Sequence, residues 1–291
     1  MILMVSGRTD IVAYYTPWFI NRLKEGYVDV RNPFNPKLIS RIDLNDVDGI
    51  MFCTKNPLPI LPYLEKIDKP MIFHITLTPY LKDIEPNLPP KTEVITGIKQ
   101  VSKIIGKQYT YVRYDPIFIN KKYTINYHIK MFERLCNNLD GYIEHIIISF
   151  LDDYKNVRKN IKVLNPKSLT KNDYKKIGEN FAKIATKHHM TVQSCFEDEN
   201  LVEYGFIKED CLSLKLAQEL TGRKKHKKWN VNITAVNTYR PAAKAHFKLL
   251  LAAFAAQLLG LFTWGWCLLD TYLVNDFSIN CFENKVGNTR N

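Results

Sequence analysis

Polar and ionisable residues recur in this chain at the ends of short apolar runs. Ser6, Arg8, Thr9 and Asp10 follow Ile2–Val5, and Thr54, Lys55 and Asn56 follow Gly49–Cys53. Thr76, Thr78 and Tyr80 close the run that begins at Met71, and Arg113, Tyr114 and Asp115 close the one that begins at Tyr109. Ser149 and Asp152 end His145–Phe150, and Gln193, Ser194, Cys195 and Glu197 end the run from Met190. These types suit a reaction centre. Lys55 and Arg113 are cations that can hold a carboxylate or phosphate. Asp115 or Glu197 can serve as a general base, or hold a cofactor's hydroxyls or amine. The expected catalytic set is therefore Lys55, Arg113, Asp115 and Glu197. Ser6, Arg8, Asp10, Asn56, Thr76, Thr78, Tyr114, Ser149 and Gln193 are the expected substrate or cofactor contacts. Each residue alone also has a plainer role. Asp10 and Asp152 can cap a following helix, and Arg113 and Asp115 can pair with each other.

No metal site is expected from spacing. The six cysteines, Cys53, Cys136, Cys195, Cys211, Cys267 and Cys281, contain no CxxC pair. Cys195 reads as a small buried hydrophobe. His188 and His189 are adjacent, so they point to different sides and suit a helix C-terminus. His74 sits mid-strand among apolar residues and reads as a core histidine with its hydrogen bonds satisfied.

The elements that must position these residues alternate regularly. Strands are expected at Ile2–Val5, Gly49–Cys53, Met71–Leu77, Tyr109–Tyr114, His145–Phe150 and Met190–Cys195. Helices are expected at Thr16–Glu25, Leu58–Ile67, Lys91–Ile105, Ile125–Leu139 and Lys171–His188, with another near Cys211–Leu220. Gly26 is placed to end the first of them. Tyr27–Arg31 and Leu38–Ile42 flank two Asn-Pro steps that make a rigid turn, and read as a hairpin or a loop excursion. The strands are continuous apolar runs, as when both faces of a parallel sheet are covered. Repeated βα units predict a TIM-barrel-like parallel β/α barrel, full or partial, with an open doubly wound sheet as the alternative. In a barrel all the strand ends named above meet on one face.

Length and composition fit one large domain plus a tail: 291 residues, 46% hydrophobic and 24% charged. That excludes disorder as the default. The formal charge is +12, which favours anionic partners. Residues 222–291 carry ten Lys and Arg against three Asp and Glu, whereas the longer part before them has 31 against 26. The opening Met1–Val5 runs straight into Ser-Gly-Arg-Thr-Asp without a secretory pattern, so a cytoplasmic location is expected.

Several segments resemble one family. They are Met1–Asp10, Val30–Pro36, Phe52–Pro57, Val112–Pro116, Ile148–Asp152 and the strand end Gln193–Cys195. Together, over about residues 1–224, they resemble the microbial family catalogued as domain of unknown function 1848. The resemblance implies a TIM-barrel-like protein related to radical SAM enzymes. It also implies a [4Fe–4S] cluster that binds S-adenosylmethionine through a C-terminal motif, CxC, then Asp-Ile-Gly, then CxxxCxxC. No substrate comes with the resemblance.

The tail departs from that pattern. Only Cys267 and Cys281 follow Lys224, too few for a three-thiolate site, so no cluster or S-adenosylmethionine is expected in this chain. Residues 1–221 are expected as the barrel and 222–291 as a basic linker and apolar tail. Arg223–Lys228 is a basic run suited to a solvated linker or to nucleic acid. Leu249–Leu269 has no charged residue over 21 positions, long enough to span a bilayer. A membrane anchor is nevertheless not expected on a barrel of this kind. A shifted reading frame explains the tail more simply. Three functional readings follow: a radical-SAM-type scaffold without its cluster, inactive in this form; a non-redox barrel enzyme using acid–base chemistry; or a basic nucleic-acid-binding module. Substrate, small molecule or nucleic acid, is left open.

Overall fold

The computed structural model describes residues 1–6, 9–31, 35, 37–151, 161–194, 201–222 and 280–281. Its centre is a sheet of seven parallel strands. In chain order these are β1 (Ile2–Val5), β4 (Gly49–Thr54), β5 (Met71–Thr76), β6 (Thr110–Ile117), β7 (His145–Phe150), β8 (Thr191–Ser194) and β9 (Ile207–Lys208). They lie side by side in that same order. β2 (Tyr27–Arg31) and β3 (Ile39–Asp43) form a separate antiparallel hairpin, the first of the two forms expected around the Asn-Pro steps. A short strand β10 (Asn280–Cys281) pairs antiparallel with the outer edge of β1.

Of the full or partial barrel expected, no closed form is seen among the described residues. Among the described residues no ladder joins β9 to β1, and the outer edge of β1 is taken by β10. The α/β class and parallel sheet stand.

Crossover helices form where the sequence supplies both an apolar face and a start signal. They are α1 (Ile11–Tyr14), α2 (Thr16–Glu25), α3 (Lys91–Ile105), α4 (Ile125–Leu139), α5 (Lys171–Lys187) and α6 (Leu214–Thr221). Thr124 caps α4 by accepting from Tyr127 N, and Thr170 with Asp173 forms a reciprocal capping box at α5. Gly26 ends α2 at φ 80°, a left-handed conformation that a side chain would strain. The expected helix at Leu58–Ile67 is instead a 3-10 helix, Leu58–Lys66. Pro59 lies at its start and Pro62 inside it, and proline has no N–H for an α-helical bond.

Side-chain alternation divides the sheet into two faces. Val5, Phe52, Phe73, Ile75, Val112, Ile146 and Ile148 pack against Val94, Ile98, Phe132, Ile177 and Phe181 of α3, α4 and α5. The intervening positions Met4, Met51, Ile72, Tyr111 and Ile147 face the other way, against Cys211 and Leu220. Thus α6 covers the lower part of the second face. Its upper part, toward the strands' C-terminal ends, holds the polar residues.

Candidate functional site

Two positions past Tyr111 on the second face comes Arg113, and two further comes Asp115. Both are buried. Arg113 donates from Nη2 to Asp115 Oδ2 at 2.5 Å and from Nε to both carboxylate oxygens at 3.1 and 3.3 Å. Ser149, on the same face of β7, donates to Asp115 Oδ2 at 3.3 Å. Cys211 reaches in from the segment before α6, with its sulfur 3.3 Å from Arg113 Nη1. Thr76 is the ladder partner of Arg113 on β5. Gln193 of β8 donates to the carbonyl of Glu209 at 2.5 Å, tying β8 to the segment that carries Cys211. The sequence-predicted Arg113, Asp115, Thr76, Ser149 and Gln193 therefore share one face.

A second buried ion pair lies at the C-terminal end of β4. Lys55, just past the end of β4, donates to Glu85 Oε1 at 2.7 Å, with both side chains at most 3% exposed. The other carboxylate oxygen accepts from Thr78 at 2.7 Å and from Lys91, the first residue of α3. Burial alone would raise the Glu85 acid, but the Lys55 and Lys91 charges outweigh it and hold it below its ordinary value. Glu85 sits in the segment after β5, where no spacing or periodicity singles it out. Sequence reasoning passed over it.

Asp10 turns out to join elements together. Its carboxylate accepts from Ala13 N at 2.9 Å, capping α1, and from Thr54 Oγ1 at 2.9 Å and Lys55 N at 2.8 Å. Desolvation pushes its acid up to about 6, against the pull of those hydrogen bonds. Ser6, at φ 82°, accepts from Ile11 N at 3.0 Å. Asn56 accepts from Leu58 N at 3.2 Å and so starts the 3-10 helix. These three contacts organise the turns that carry Lys55.

Tyr114 does not join the others. It alternates to the helix-packed face, where its hydroxyl meets His128 Nδ1 at 3.0 Å. Arg8, Asp152, Cys195 and Glu197 lie outside the described residues, as do Arg223–Lys228 and Leu249–Leu269. No helix among the described residues is long and apolar enough to cross a membrane. His188 caps α5 and meets Asp140 through Nδ1 at 3.1 Å, the helix-end role expected of it.

His74 departs from expectation. It is fully buried on the polar face, yet among the described residues neither ring nitrogen has a hydrogen-bond partner. Burial, with the charges of Arg113 and His145, depresses its basicity well below the ordinary value. Its ring stacks on Tyr111 at 5.0 Å, and Tyr111 stacks on His145 at 4.5 Å. Cys53 is the ladder partner of His74, and desolvation, foremost, pushes its thiol up to about 12.

The donors described do not fit the cluster that the resemblance implies. Cys53 and Cys211 share the polar face, but Cys136 lies in α4 on the opposite side of the sheet. Among the described residues no three or more His, Cys, Asp or Glu side chains are grouped to hold a metal. A separate cavity of about 310 Å³ opens at the N-termini of α4 and α5, lined by Ile119, Thr124, Lys167 and Lys176, away from both ion pairs.

Compared with known proteins, the sequence matches a family described as Domain of unknown function (DUF1848) over residues 2–236. No curated protein and no solved structure matches.

Proposed function

Since the chain belongs to that family, we propose that it is the scaffold of a radical-SAM-type barrel enzyme without a working cluster, with its ligand face at the C-terminal ends of the parallel strands. The sequential strand order is that of a barrel left open. One observation carries the placement of the ligand face. Arg113, Asp115, Ser149 and Cys211 come from two strands and a distant segment, yet converge in one buried polar cluster. Buried ion pairs contribute little net stability compared with apolar packing, so their convergence at strand ends favours a binding role.

What this chain's residues supply there is orientation. Asp115 fixes the Arg113 guanidinium, Ser149 fixes Asp115, and Thr76 flanks Arg113. When bound, a cluster and S-adenosylmethionine would supply reductive cleavage to a radical, but no step is assigned to them because the described donors do not fit. Acid–base use of Asp115 is less favoured, because Arg113 and Ser149 already engage its carboxylate. Anaerobic incubation of the purified chain with iron and sulfide is the test. The expected result is no cluster absorbance from this chain, and its appearance once a CxxxCxxC tail is restored in frame. Cluster absorbance from the present chain would overturn the reading. DNA sequence across codons 235–275 tests the shifted frame separately: with no CxxxCxxC in an alternate frame, that explanation of the tail is wrong.

A further inference from the structure

We propose that the cleft between the segments leading from β6 into α4 and from β7 into α5 binds a phosphate monoester, a small molecule with one dianionic phosphate on a partly apolar body. The inference concerns a different place from the ligand face proposed above and does not rest on it.

The cleft has room, access and fixed walls. Its volume of about 310 Å³ lies at the lower end of the range of ligand pockets, about 300–1,000 Å³. Lys167 N donates to Ile119 O at 2.7 Å, and Asn120 Nδ2 donates to Leu164 O at 2.9 Å, so one wall is tied to the other. Lys167 and Lys176 line the cleft and are exposed, which leaves them open to an entering ligand.

The chemistry of the lining selects the ligand. Among the described residues neither ammonium has an ion-pair partner, and the side chains of Asn126 and Ser168 have no hydrogen-bond partner. Asp173 is the one acid in the lining, and its carboxylate accepts from Thr170 N at 2.8 Å and Thr170 Oγ1 at 2.7 Å. Thr124 and Thr170 already cap the starts of α4 and α5, and the attraction for an anion comes from the two ammonium groups. A phosphate monoester brings nearly two charges and three strong acceptor oxygens. These match two cations and two neutral donors better than the single charge of a carboxylate. Ile119, Ile125 and Leu169 supply an apolar wall for the rest of the molecule. The plainer alternative is a water-filled furrow whose lysines are only solvated.

Calorimetric titration of the full chain with phenyl phosphate separates the two, at about pH 7.5, where the probe is a dianion. Saturable one-to-one binding is expected. Lys167→Gln and Lys176→Gln should each weaken it about threefold to fivefold, as for a partly exposed ion pair. Lys183→Gln, on the exposed side of α5 and outside the lining, should leave it unchanged. Inorganic phosphate, which makes no use of the apolar wall, should bind several-fold more weakly. Circular dichroism checks that each variant is folded. Absence of saturable binding would overturn the proposal, as would an equal loss in Lys183→Gln, the mark of a diffuse basic surface. Inorganic phosphate binding as tightly as phenyl phosphate would overturn the assignment of a monoester.

Discussion

Asp10 shows how one carboxylate can serve structure and still leave a measurable trace. In the unfolded chain it titrates near 3.8, and in the folded chain near 6. Between those values the folded state binds more protons, so its contribution to stability is complete below about pH 4 and is lost as pH rises through 6. Asp10→Asn does not titrate, and its amide would point a donor at a backbone N–H. The variant should be less stable throughout, with the deficit largest near pH 4 and narrowing by a few kcal/mol toward pH 7, at about 1.4 kcal/mol per unit. Urea unfolding at several pH values measures this, and a deficit independent of pH would contradict it. The Arg113–Asp115 pair makes a second prediction. Asp115→Asn leaves the buried Arg113 guanidinium without its carboxylate counter-charge and should cost about 3–5 kcal/mol, whereas Arg113→Met with Asp115→Leu should recover most of that. Comparing denaturant midpoints of the single and double variants decides it.

At the scale of elements, the segments after β5 and β6 are clasped together. Tyr80 donates to Pro116 O at 2.8 Å and accepts from Phe118 N at 3.0 Å. Tyr123 donates to Asp83 at 2.6 Å, and Tyr127 to Pro79 O at 2.7 Å. This clasp holds Thr78 and Glu85 against Lys55. Tyr80→Phe leaves two buried backbone groups unpaired and should cost about 1–3 kcal/mol in a thermal or urea melt. Gly178→Ala tests helix placement. A Cβ there would lie 2.5 Å from the Tyr204 ring, so α5 would have to shift, at a cost of about 1–3 kcal/mol, read from the same melts. Much of this level was legible in sequence. Lys91–Ile105 and Ile125–Leu139 form as the 3.6-residue period predicts, and His145–Phe150 as its apolar run predicts. Strand alternation was less legible. It sends Tyr114 away from Arg113 and Asp115, because neighbours in a strand face opposite ways. Glu85 was invisible because its partners come from β4, from the segment after β5 and from α3, and only the folded chain brings them together. His74 was read correctly as buried and wrongly as satisfied, because hydrophobic context reports burial but not hydrogen bonding.

For the molecule as a whole, the expected parallel α/β sheet is present, and among the described residues it does not close into a full barrel. Edge pairing depends on contacts far apart in the chain, which periodicity does not report. Buried groups of opposite tendency also set its response to acid. His128, which burial brings down to about 4, and His74 favour the folded state as pH rises, because the unfolded chain binds more protons below about 6.5. Asp10 works the other way. The protein should therefore lose thermal stability as pH falls from 6.5 to 4, and Asp10→Asn should steepen that loss. A variant whose melting temperature falls less steeply than the parent's would count against these assignments.

The strand order has one further consequence, for biosynthesis. From β4 to β9, every parallel strand pairs with the one before it in the chain. Domains fold from the N-terminus as they leave the ribosome, and here each emerging strand meets a neighbour already laid down. The sheet can grow like courses of brick, each setting on the last. Lys55 and Glu85 would meet early in that growth, Arg113 and Ser149 later, and Cys211 would close over them near the end.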